Sequence, residues 1–314
     1  MEAKRKFRNP VLPRGADPWV IRHEGTYIYT HTTGDSIVLW QSDTLSGMGS
    51  GEGKVVWTPP ESGPQSRSIW APEIHFIDGR FYIYFAADDG RNENHRMYVL
   101  ESEGDDFFGP YVNRGQITDR TNKWAIDGTV LRIGDGPMYF IWSGWEGDEN
   151  IRQNLYIAPM SNPWTISGDR VEISRPDRAW ERIGEPHVNE GPTVLVRGNR
   201  IFLVYSASGS WTDDYALGML SADADSDLLR PESWKKHDVP VFARTETVFG
   251  PGHHSFAKSP DGREDWLVYH AAVSQGSGWD RNVRMQPFSW NEDGTPRFGF
   301  PIDTKTDIPL PSGE

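Results

Sequence analysis

An all-β fold, a five-bladed β-propeller, is predicted by three observations on the 314 residues. A hairpin pattern recurs five times. Further strand-like pieces lie between the copies. No window carries a long amphipathic helical pattern. The copies run over residues 17–29, 73–84, 127–142, 190–205 and 254–269, and each closes on an aromatic: Tyr29, Tyr84, Trp142, Tyr205 and Tyr269. Turn residues such as Asp78-Gly79, Gly198-Asn199 and Asp261-Gly262 separate two β-prone runs in each copy. A hairpin alone cannot bury its apolar faces. Outer pieces such as 37–40, 97–100, 155–158 and 216–219 bring each unit to about four strands, the makeup of a propeller blade. Five units fill nearly the whole chain, so residues 1–314 read as one catalytic domain. Frequent Gly (32) and Pro (23) with no helical period argue against a TIM barrel. A two-sheet sandwich would not demand a fivefold period.

Composition narrows the function. The formal net charge is −13, so the chain repels phosphate backbones and nucleic acid is excluded as a partner. There is no cysteine, hence neither a disulfide framework nor a thiolate metal site. No apolar run approaches the roughly 20 residues of a membrane span, so no membrane partner is expected. Met1 to Arg8 is basic but lacks an apolar signal region. This reads as a cytoplasmic protein, or a secreted one from which a signal has been removed. The chain has 14 Trp although hydrophobic residues are only 36% of it. Most of these indoles pack in the core; the excess fits sugar binding, because apolar sugar faces stack on indole rings.

The copies begin at Asp17, Glu73, Asp127, Glu190 and His254. In a propeller the start of each innermost strand points at the central axis, so these positions are expected to converge on one funnel. An isolated Asp-Pro or Asp-Gly is usually a turn. Recurrence in register argues otherwise, because clustered carboxylates repel and raise one another's pKa and packing gives no reason for them. Paired carboxylates with separated pKa values suit glycoside hydrolysis, one donating a proton to the leaving oxygen and the other activating a water. Trp70 is placed to stack on a sugar near the axis. Arg284 is expected to bind a sugar hydroxyl or tune an acid, and Glu73 and His254 to face the substrate. An axial histidine, with waters and carboxylates, could hold calcium or sodium. No second His cluster stands at zinc spacing.

These residues resemble glycoside hydrolase family 43. The marks stand in order: Ala16-Asp17-Pro18, Trp70-Ala71-Pro72-Glu73, Asp127-Gly128, Glu190-Gly191-Pro192 and Gly250-Pro251-Gly252-His253. The resemblance covers roughly residues 10 to 300. It implies a five-bladed propeller and an inverting mechanism in which Asp17 is the general base, Glu190 the general acid and Asp127 the modulator of the acid's pKa. No cofactor is implied for the chemistry. His253 matches the family's histidine that often ligates a structural calcium on the axis. Residues 142–145, 154–158 and 250–254 look like those of exo-α-L-arabinofuranosidases that release arabinose from α-1,5-linked arabinan or arabino-oligosaccharides. The expected partner is thus a plant cell-wall polysaccharide or oligosaccharide. The alternatives are a β-xylosidase or arabinoxylan arabinofuranohydrolase of the same family, and a non-catalytic carbohydrate-binding propeller. Intact Asp17, Asp127 and Glu190 count against the last.

Overall fold

The computed structural model describes residues 5–314; Met1–Lys4 of the basic N-terminal stretch lie outside the described residues. The fold is all-β. Each expected hairpin forms: Trp19–His23 with Thr26–Thr30, Arg67–Ile77 with Arg80–Asp88, Ala125–Arg132 with Met138–Gly144, His187–Arg197 with Arg200–Ala207, and Gly252–Lys258 with Asp265–Ala272. Two of the turns show why they are where they are. Glu24-Gly25 and Asp78-Gly79 both have positive φ at both residues (48° and 88°, 49° and 81°), the twist that a two-residue hairpin needs.

The outer strands extend the hairpins to four-stranded antiparallel sheets over 19–57, 67–117 and 252–297. The middle of the chain forms a nine-stranded sheet instead. It consists of two antiparallel groups, 125–174 and 187–236, joined by a short parallel pairing of Arg152 with His187 and Gln153 with Val188. The five innermost strands neighbour one another in chain order, and Gly252–Lys258 packs back beside Trp19–His23, so they close a ring. The chain ends help to shut it: Lys6–Phe7 pairs with Ile308–Pro309, and the Glu314 side chain accepts from the Leu45 and Ser46 amides at 2.7 and 3.1 Å.

Hydrophobic clusters fill the gaps between neighbouring sheets. One spans the second and third units through Tyr84, Met97, Phe140 and Trp142; another closes the fifth on the first through Tyr27, Tyr29, Trp266 and Val268. Burying side chains of this size, at roughly 1.5–3 kcal/mol each, is what makes ring closure favourable. Gly128 leaves room for the Phe140 ring of its own hairpin and for Met97 of the preceding unit, since a Cβ there would lie 2.1 Å from the one and 2.9 Å from the other.

Candidate active site

One backbone device recurs at the head of every innermost strand. Asp17, Ala71, Asp127, Gly191 and His253 all have left-handed φ, at 58°, 43°, 56°, 54° and 41°. In the last four units the hairpin register slips beside this residue, as a β-bulge does. Pro18, Pro72 and Pro192 follow three of them, and a bulge tolerates the missing N–H. The device also corrects the register expected from the sequence. The equivalent positions are Ala71, Gly191 and His253, not Glu73, Glu190 and His254. Four of the five N–H groups donate to a side chain of the preceding unit: Asp17 to His270 Nδ1 (3.0 Å), Ala71 to Thr32 Oγ1 (2.7 Å), Gly191 to Asp127 Oδ2 (3.0 Å) and His253 to Ser206 Oγ (2.8 Å).

These heads surround a cavity of about 640 Å³ lined by Asp17, Asp127 and Glu190 together with Trp70, Trp124, Trp211, Trp279, His253 and Arg281. Its size is that of a small-molecule cleft. Asp17 accepts from Thr32 Oγ1 at 2.6 Å and lies 3.2 Å from His253 Nδ1 and 3.8 Å from Arg281. Burial alone would raise its pKa. The charges of His253 and Arg281 and the Thr32 hydrogen bond outweigh that and hold it below the usual carboxylate value. Glu190 is 8% exposed. Burial pushes its pKa up to about 7, with the Asp17 charge acting the same way, while Tyr215, donating to Oε1 at 2.9 Å, pulls it down. Asp127 is raised well above its ordinary value by burial and by the charges of Glu190 and Asp17. The cavity therefore holds one carboxyl that ionises early and two that hold their protons.

Of the other expected residues, Trp70 lines the cavity and stacks on His95 at 4.0 Å. Three do not line it. Glu73 is buried two residues below the bulge and shares a hydrogen bond with His75 Nε2 at 2.9 Å. Burial raises the acid and lowers the imidazole to about 3, so the pair is neutral. The His254 ring packs against Phe256 inside the sheet, because the bulge at His253 turns it away. Arg284 is 2% exposed, paired in register with Tyr269 and donating to Asn282 Oδ1 at 2.8 Å. Arg281, at the start of the same strand, is the guanidinium that reaches Asp17.

The expected axial cation would rest on His253, with Asp17 and Asp127 the carboxylates nearest to it. Calcium takes six to eight oxygens. Among the described residues no three His, Asp or Glu side chains group to hold a metal. The Nδ1 of His253 already faces Asp17 and, at 3.9 Å, Asp127.

Comparison with known proteins gives one consistent family. The family model for glycosyl hydrolases family 43 matches residues 7–296. An extracellular exo-α-(1→5)-L-arabinofuranosidase of Streptomyces avermitilis is 43% identical over 94% of this chain and 64% of its own length. The α-L-arabinofuranosidase 43 of Humicola insolens is 39% identical over 94% of this chain and again 64% of its own. The chain thus spans just under two thirds of these relatives. The crystal structure of an α-L-arabinofuranosidase from Lactobacillus brevis superposes with a TM-score of 0.88 at 36% identity, covering 95% of this chain and 98% of that one.

Proposed function

Because the chain belongs to glycosyl hydrolase family 43, we propose that it is an inverting exo-α-L-arabinofuranosidase that releases arabinose from α-1,5-linked arabinan or its oligosaccharides. The observation that carries this reading is the split of two carboxyls in one cavity, Asp17 held ionised and Glu190 held protonated up to about pH 7. Glu190 gives its proton to the glycosidic oxygen as the C–O bond breaks. Asp17 takes a proton from a water that attacks the anomeric carbon on the opposite face. The cycle ends with Glu190 ionised and Asp17 protonated, and solvent exchange restores both. Asp127, kept neutral by burial and by the charges of Glu190 and Asp17, accepts the Gly191 N–H beside Glu190 and is read as the residue that positions and modulates the acid. Trp70 supplies an apolar wall for the sugar.

The closed ring of innermost strands, with one antiparallel sheet or half-sheet behind each, supports a single five-bladed propeller. The relative named extracellular favours the secreted alternative over a cytoplasmic location. The test is hydrolysis of aryl α-L-arabinofuranoside beside aryl β-D-xyloside, with the first-formed anomer read by NMR and Glu190→Ala as control. We expect arabinoside activity with inversion. Glu190→Ala should lose arabino-oligosaccharide hydrolysis and retain more activity on the aryl substrate. Dominant xyloside activity, or a retained anomer, would overturn the reading.

A further inference from the structure

Trp279 is 68% exposed, yet its ring does not hang free. Its Nε1 donates to Ser210 Oγ at 3.1 Å, and it meets Trp211 edge-on with centroids 6.2 Å apart. Trp211 is in turn pressed on two glycines: a Cβ at Gly209 would lie 2.6 Å from its ring and one at Gly184 3.2 Å. The loop bearing Trp279 is tied to the loop bearing Trp211 a second time, through Gly276 N to Asp213 Oδ1 at 2.8 Å. Arg281 fixes the pair to the reaction centre, donating to the Ser210 carbonyl at 2.8 Å while lying 3.8 Å from Asp17. An indole left open to water but held by hydrogen bond, edge contact and loop tie costs conformational freedom that packing does not recover. It is a surface built to be covered.

What covers it follows from its place. Both indoles line the same cavity as the three acids, at its mouth. Residues 208–215, which carry Ser210 and Trp211, also carry Tyr215, the hydroxyl bound to Glu190. The Trp211 loop thus belongs to the unit that carries Glu190, the group assigned to protonate the leaving oxygen, and Trp279 is held to that loop from the neighbouring unit. We propose that Trp279, braced by Trp211, is a sugar-stacking platform for the leaving-group side of the chain, contacting the residues beyond the scissile bond and not the sugar that is released. This rests on the proposed glycosidase reading and gives it a chain-length preference: linear oligosaccharides over substrates with a small aglycone.

The test uses Trp279→Ala, Trp279→Phe and the parent protein, each on aryl α-L-arabinofuranoside and on α-1,5-linked arabinotriose. The alanine variant should raise KM for arabinotriose roughly tenfold, the order expected from uncovering one apolar sugar face. The aryl substrate, whose aglycone is one ring in place of two sugars, should lose clearly less, and phenylalanine should recover most of the loss. Equal effects on both substrates would overturn the proposal, as would no effect on either. Calorimetric titration of arabinotriose and xylotriose into the Glu190→Ala background, with and without Trp279→Ala, separates the two readings. Platform-dependent binding of xylotriose alone would refute the arabinan assignment and leave the platform standing. Arabinotriose binding indifferent to Trp279 would do the reverse.

Discussion

Tyr215→Phe isolates the acid's tuning with one atom. The Tyr215 hydroxyl donates to Glu190 Oε1 at 2.9 Å and opposes the burial that lifts this carboxyl to about 7. A hydrogen bond to a charged group contributes about 1.5–3 kcal/mol. At about 1.4 kcal/mol per pH unit, removing it should raise the Glu190 pKa by about one to two units. The direction is fixed: the bond favours the ionised form, so its loss makes Glu190 harder to ionise. Activity that needs protonated Glu190 is lost as pH rises through its pKa, so the alkaline limb should move to higher pH. The acid limb, set by Asp17, should stay. The assay is kcat/KM against pH on α-1,5-linked arabinotriose, whose poor leaving group needs the acid; an activated aryl glycoside would hide the effect. The ring keeps its stacking on His270, at 5.7 Å, so the packing behind Glu190 survives the change. An alkaline limb that stays put or moves down would refute the assignment of Glu190 as the proton donor tuned by this hydroxyl.

Two other perturbations give distinguishable patterns. Arg281→Gln removes a positive charge that lowers the pKa of Asp17, Asp127 and Glu190 alike; both limbs of the arabinotriose profile should therefore shift to higher pH, and movement of the alkaline limb alone would contradict the charge placement. Gly252→Ala puts a Cβ 2.3 Å from the Tyr215 ring, an overpacking that should cost about 1–3 kcal/mol and displace the hydroxyl from Glu190; an unchanged thermal melt would show that this contact is slack.

Much of the architecture was legible because its signals are local. Hairpin turns such as Asp78-Gly79 and aromatic-rich runs such as 81–85 declare themselves within a dozen residues, and five copies at similar spacing leave little freedom of arrangement. Asp17, Asp127 and Glu190 stood out because each sits directly before a proline or glycine near the start of a repeat copy. Tyr215, Trp211, Trp279 and Arg281 left no such trace. They reach the cavity from connecting loops and a strand start, and an aromatic or an arginine there resembles any solvated one. Arg284 lies away from the cavity for a related reason: which end of a strand meets the axis depends on the path of the chain between units. One weak signal was available. Gly252 and Gly209 each stand where a large ring, Tyr215 or Trp211, must approach the backbone.

The misplaced register of Glu73, Glu190 and His254 shows what the repeat repeats. It is a left-handed residue at the strand head, and the carboxylate is only one of its occupants. Such a conformation costs a non-glycine residue about 1–2 kcal/mol, so it persists only where something else requires it. Ala71 carries no chemistry of its own. Its N–H binds Thr32 Oγ1, and that hydroxyl donates to Asp17 at 2.6 Å. Gly191 likewise holds Asp127 and frees Glu190, one residue earlier, to face the cavity. His253 holds Ser206 through its N–H and turns its ring to Asp17. In four of the five units the head thus fixes a side chain of the unit before it, and the acids are positioned across the seams between units. A site divided in this way depends on the ring staying closed. Loosening the Lys6–Phe7 and Ile308–Pro309 pairing should therefore first disturb Asp17, whose N–H is held by His270 of the last sheet across that closing seam.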